Sequence, residues 1–170
     1  MKSPRHLIVI FGDQLNRDAA AFDDFDSTQD AVWMAEVDDE SKHVWSHKQR
    51  IAIFLSGMRH FRDALLSEGI RVEYTQLDDG KESDKLSNRL GIDLRALSPE
   101  KVIVTQLGEW RVLQALKKVC CDEEVPLEVR DDRHFYTNAK DFEEYAKGRK
   151  SLRMEFFYRE LRKRLSLIHI

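Results

Sequence analysis

The chain has 170 residues and a mass of 20.0 kDa, enough for one globular domain with a real core and too little for two ordinary ones. Lys+Arg number 28 against 31 Asp+Glu, and the resulting net charge of −3 argues against a basic nucleic-acid-binding domain. Hydrophobics at 42% with 7 Gly and 3 Pro exclude a disordered or collagen-like chain, and the early apolar run 7–11 is too short for a signal peptide or a membrane span.

Short β-branched runs alternate with helical stretches. Residues 6–11 (HLIVIF) read as a buried strand that ends at Gly12-Asp13, and 31–37 (AVWMAEV) as a second strand before an acidic turn, Asp38-Asp39-Glu40-Ser41. A long helix is predicted over 48–68, with Ile51, Phe54, Leu55, Met58, Phe61, Leu65 and Leu66 in the i, i+3/i+4 rhythm of one buried face. Gly69 stands where a left-handed cap is wanted. A third strand follows at 71–76, then a polar loop at 78–84 and a weaker helix at 85–97. A fourth strand is expected at 101–106 and a helix at 109–121 with Trp110, Leu113, Leu116 and Cys120 facing inward. A short fifth strand, 127–130, precedes helices near 140–147 and 152–165. Residues 148–170 carry seven Lys/Arg against two Asp/Glu, a local charge of +5 that leaves −8 on the rest.

This alternation predicts an α/β layer fold on a parallel sheet, because each right-handed crossover lays a helix over one face. Ligands of such sheets bind beyond the carboxyl ends of the strands, which directs attention to five segments. In the first, Gly12 permits a turn or a close approach, and Asp13 and Gln14 offer an acceptor and an amide to a polar ring, or else form an Asx turn and helix cap. Glu36, Asp38, Asp39 and Glu40 could hold ribose or ribityl hydroxyls, ring N–H groups or Mg²⁺, or make a solvated turn. Gly108-Glu109-Trp110-Arg111 reads equally as a site mouth or a plain helix start. Neither G-x-G-x-x-G nor G-x-x-x-x-G-K-[ST] occurs. His43, His47, His60 and His134 lack a third ligand at metal spacing, so surface or capping roles are expected of them. Cys120-Cys121, adjacent, give no disulfide framework, and a reducing, cytoplasmic setting without a membrane is expected. The apolar residues of 152–165 beside Arg149, Lys150 and Arg153 suggest a contact surface, for another part of the protein or a second copy.

Read together, Leu7 to Leu15 (LIVIFGDQL), Glu36, Glu40, His47-Lys48, Met58-Arg59-His60-Phe61, Gly108-Glu109-Trp110-Arg111, Asp132-Arg133-His134-Phe135 and the stretch from Gly148 to Glu160 (GRKSLRMEFFYRE) resemble the deoxyribodipyrimidine photolyase-related proteins. These are the bacterial photolyases and cryptochromes that carry an iron–sulfur cluster. The resemblance runs from about Leu7 to Arg164. It implies a Rossmann-like five-stranded parallel sheet in order 3-2-1-4-5 with helices on both faces. Residues 1–147 would be the antenna-binding domain and 148–165 the start of a connector to a helical FAD- and DNA-binding domain outside this chain. Residues 166–170 depart from the family pattern and are expected to be a non-native tail.

The implied ligand is 6,7-dimethyl-8-ribityllumazine, an antenna that absorbs blue light for the flavin. Gly12, Asp13, Gln14 and Leu15 would form the first-strand wall of its pocket, Glu40 the carboxylate that meets it, Glu36 a neighbour, and His43 the position where many relatives have Tyr. FAD and the cluster are expected only in the absent domain, since two adjacent cysteines cannot supply four separated thiolates. Damaged DNA would be met there too, with little direct nucleic-acid binding here and no catalytic residue in this chain. The implied function is light harvesting in a DNA repair photolyase of the (6-4) type. The alternatives are a same-family photoreceptor without repair activity and an independent nucleotide-binding α/β domain.

Overall fold

Five strands, β1 (His6–Val9), β2 (Ala31–Ala35), β3 (Val72–Thr75), β4 (Lys101–Thr105) and β5 (Leu127–Arg130), form one all-parallel sheet in order β3-β2-β1-β4-β5. This computed structural model describes residues 2–37, 47–79 and 85–167. The helices are α1 (Lys48–Ser67), α2 (Leu86–Leu97), α3 (Trp110–Asp122), α4 (Ala139–Ala146) and α5 (Met154–Arg164), with a 3₁₀ turn at Ala20–Phe22. The expected Rossmann-like architecture and strand order are both present.

The period-2 alternation of a strand sends its apolar side chains to two cores. Leu7, Val9, Ala31, Trp33, Ala35, Val102 and Val104 face one, shared with Leu90 and Leu94 of α2 and Leu113, Leu116 and Cys120 of α3. Ile8, Ile10, Val32, Met34 and Ile103 face the other, with Met58 and Leu65 of α1 and the 3₁₀ turn. Burial on both faces explains why the strands read as continuous apolar runs. It also pushes the Cys120 thiol up to about 11, so that side chain is an inert filler.

Two local expectations hold. Gly69 follows α1 with φ +76°, a conformation that favours glycine. His47 caps α1, its Nδ1 accepting from the Gln49 amide at 3.2 Å. Among the described residues no helix is long and apolar enough to cross a membrane, and no group of three or more His, Cys, Asp or Glu could hold a metal.

Two expectations fail. Trp110 is 74% exposed: it is the first residue of α3, whose buried face starts at Leu113 and continues through Leu116 and Cys120. On α1 only Met58 and Leu65 are buried, while Phe54 and Leu66 are exposed. Leu55 and Phe61 are partly buried against the core, and a 20-residue helix, about 30 Å long, outreaches the four- and five-residue strands, so the stripe is not buried along its whole length.

The chain forms two compact units, Met1–Asp132 and Arg133–Ile170. The second opens α4 with a capping box, in which the Asn138 side chain accepts from the Asp141 amide at 3.0 Å and Asp141 accepts from the Asn138 amide at 2.9 Å. Phe157 of α5 packs edge-on to Phe142 and against Tyr145, with ring centroids 5.2 and 5.0 Å apart. Arg149 lies over the Tyr145 ring at 4.0 Å and pairs with Glu160. Met154, Phe156 and Tyr158 of the expected contact surface are exposed, and Phe157 is buried.

Candidate functional site

A chamber of about 240 Å³ opens in the first unit where β1, β2 and β4 end, where parallel sheets of this kind take ligands. Phe11, Gly12 and Asp13 come from the end of β1, and Ala35, Glu36 and Val37 from the end of β2. Arg50, Ile51, Phe54, Leu55 and Met58 of α1 face them. Leu77, Leu86, Leu107, Gly108, Glu109 and Val112 complete the lining. The walls are mostly aliphatic and aromatic, with Asp13, Arg50 and Glu109 exposed on the side chain's polar end. A flat, uncharged ring suits the interior, and hydroxyl or amide groups suit the rim.

Gly12 shapes the chamber by what it lacks. A Cβ there would collide with the Phe54 ring and come within 2.9 Å of Met58 Sδ. The glycine therefore lets α1 press onto the end of β1, with Phe54 over the turn. Gln14 departs from its expected role. Its Nε2 donates to the backbone oxygens of Thr105 and Gln106 at 3.3 and 3.1 Å, binding the loop after β1 to the end of β4. Leu15 packs into the α1-side core. Neither Gln14 nor Leu15 lines the chamber.

Glu36 borders the chamber, and its side chain is fully buried. Its Oε1 accepts from Arg59 Nε at 2.7 Å and from the Tyr74 hydroxyl at 2.6 Å. Its Oε2 accepts from Arg59 Nη2 at 2.7 Å and from the Leu77 amide at 3.0 Å. Burial alone would raise this carboxyl, but those donors outweigh it and hold it below the usual carboxylate range. Tyr74 is pushed the other way, well up, by its own burial and by the Glu36 charge. Arg59 is raised by its hydrogen bonds to Glu36 and by the Glu36 charge. Glu40 and His43 lie outside the described residues.

Of the seven expected site residues the structure thus brings Gly12, Asp13 and Glu36 to one chamber. The α1 residues opposite them went unnamed as site residues, although Ile51, Phe54, Leu55 and Met58 were visible as an apolar stripe. The stripe looks the same whether it fills a core or lines a cavity. Arg50 carried no pattern that could have singled it out.

The model of the deoxyribodipyrimidine photo-lyase-related protein family matches residues 8–168. A (6-4) photolyase of Agrobacterium fabrum is 38% identical over 162 residues, which is 95% of this chain and 32% of that protein. The chain thus spans about a third of the length of the relative it matches. A match over nearly every residue, on a sheet of the expected order, leads to one conclusion: the chain belongs to the deoxyribodipyrimidine photo-lyase-related protein family.

Proposed function

We propose that this chain is the antenna-chromophore domain of a light-dependent DNA repair photolyase of the (6-4) type, and that its chamber takes 6,7-dimethyl-8-ribityllumazine. The observation that carries this reading is the apolar chamber at the carboxyl ends of β1, β2 and β4, in a chain similar to a (6-4) photolyase over 95% of its length. Its volume of about 240 Å³ is close to the lower end of ordinary ligand pockets, which begin near 300 Å³, and matches a ring better than a whole ring-plus-polyol ligand. The lumazine ring would lie between the α1 side chains and the strand ends, and its ribityl chain would run to the polar rim.

When bound, the chromophore supplies absorption of blue light. The residues here do the rest. Ile51, Phe54, Leu55 and Met58 exclude water from the ring, and Asp13, Arg50 and Glu109 give the rim acceptors and donors. Glu40, three residues beyond β2's last chamber residue, is assigned the carboxylate that accepts from the ligand. FAD, the iron–sulfur cluster and damaged DNA belong in this reading to the other two thirds of such a protein. Cys120 and Cys121, adjacent and with Cys120 buried, do not fit a four-thiolate cluster.

Fluorescence titration of the chain with 6,7-dimethyl-8-ribityllumazine tests the reading. Saturable one-site binding is expected, and Glu40→Gln should weaken it by about 1–3 kcal/mol, the cost of mispairing one acceptor against the ligand. Absence of binding to the chain and also to a protein extended to the length of the relative would overturn the antenna role. With FAD and blue light the chain alone should leave thymine (6-4) lesions unrepaired.

A further inference from the structure

Glu36 is a carboxylate with nothing left to offer a ligand. An ionised carboxyl group presents about four lone-pair sites, and here four donors fill them: two from Arg59, one from Tyr74 and one from the Leu77 amide. Those donors come from α1, from β3 and from the segment just after β3. Arg59 is on α1, one and two helical turns beyond Leu55 and Ile51, which line the chamber on the same stripe. Tyr74 is on β3, with Arg62 of α1 over its ring at 4.8 Å. Leu77 follows β3 and is itself chamber wall. A ligand hydroxyl could reach Glu36 only by displacing one of these donors and leaving it unpaired in a buried setting, which is costly.

We propose that Arg59 and Tyr74 are positioning residues for the chamber: they saturate Glu36, which then fixes α1, the end of β2 and Leu77 at the spacing the ligand needs, without touching the ligand. The idea rests on the reading of the chamber as a chromophore site. It also reassigns Glu36, expected from the sequence as a neighbour of the ligand, to a clamp beneath it.

A mutant cycle separates clamp from contact. Lumazine affinity is measured for the unmodified chain, Glu36→Gln, Arg59→Met and the double variant, with Tyr74→Phe as a milder single change. Exchange of the Leu77 amide proton is followed in each by NMR. The two single changes should each weaken binding about tenfold, and the double variant should lose about the same tenfold rather than a hundredfold, because both break one clamp. Tyr74→Phe should weaken binding about threefold, since three of four donors remain. Leu77 exchange should quicken in every variant, most in those lacking Arg59. The absorption maximum of bound lumazine should stay put, since no ring contact is lost.

A further tenfold loss from Glu36→Gln in the Arg59→Met background, or a shifted absorption maximum, would make Glu36 a ligand contact and overturn the proposal. So would unchanged Leu77 exchange. If Arg59→Met does not fold, Arg59→Lys keeps the charge and removes the two-pronged geometry, with the same expectations. If neither the unmodified chain nor a protein extended to the length of the relative binds lumazine, the chromophore reading fails instead, and the exchange data alone decide whether the clamp exists.

Discussion

Strand β2 carries a buried carboxylate at each end, and the two are built alike. Before it, Asp30 accepts from Arg5 Nε at 2.9 Å and Nη2 at 2.7 Å, and from the amides of His6 and Asp26 at 3.1 and 2.9 Å. After it, Glu36 accepts the same two-pronged arginine contact, from Arg59, with one hydroxyl and one amide in place of two amides. Both are held below the usual carboxylate range against the opposing effect of burial. The Glu36 end borders the chamber, whose lining does not include Asp30. A buried, perturbed acid paired with arginine is therefore no sign of a functional site by itself. What distinguishes these two is the end of the strand, since the carboxyl end of a parallel sheet is where loops diverge and leave room.

The sharpest way to test that likeness is to remove both groups. Asp30→Ala and Glu36→Ala should each destabilise the fold in urea titration, because each removes the buried acceptor shared by four donors, backbone amides among them. Their effects on the chamber should then diverge. Below saturation of unfolding, Asp30→Ala should leave lumazine affinity within twofold of the unmodified chain, and Glu36→Ala should lower it. Similar losses of affinity in both would erase the distinction drawn here.

Acid titration should show the likeness again. Each carboxyl has a lowered value in the folded state, so its contribution is complete above the ordinary carboxylate range and is lost as pH falls through the lowered value. Stability should drop over that interval in the unmodified chain, and less steeply in either Asn or Gln variant. At the alkaline end the two pairs should part. Tyr74 is raised in the folded state, so its contribution is full below the ordinary tyrosine value of 10.0 and lost as pH rises beyond it. Tyr74→Phe should flatten that alkaline loss, as read by thermal melts, and Asp30→Asn should not. The smallest effect is expected at Trp110, 74% exposed, where Ala should change stability by under about 0.5 kcal/mol. A loss of several kcal/mol would mean that the indole is packed inward as its sequence spacing suggested.

Much of the fold was legible. Alternation of β-branched runs with amphipathic helices marked all five strands, and the left-handed cap at Gly69 was readable from a single glycine after a periodic helix. Strand order came from the family resemblance joined to that alternation. The site was legible only in outline. Gly12 was marked as a place of close approach, but not that α1 is what approaches, because Phe54 and Met58 are more than forty residues away. Gln14 reads as a ligand group because its amide has no local partner; its nitrogen donates to the carbonyls of Thr105, which ends β4, and of Gln106 just beyond it. The rest of β1 was simpler: residues 6–11 read as one strand, yet the ladder stops at Val9, which frees Phe11 for the chamber wall.

The elements, the two-faced burial of the sheet and the family could be read from the order of residues alone. Those properties follow from local periodicity and short motifs, which do not depend on distant partners. Side-chain roles came only with the folded chain: Glu36 is saturated while Asp13 is exposed, the Gln14 amide nitrogen is spent on the end of β4, and Trp110 is exposed. The reason is physical. A polar side chain has a few donor or acceptor sites, and whether they remain for a ligand depends on which residues from other strands and helices have already filled them.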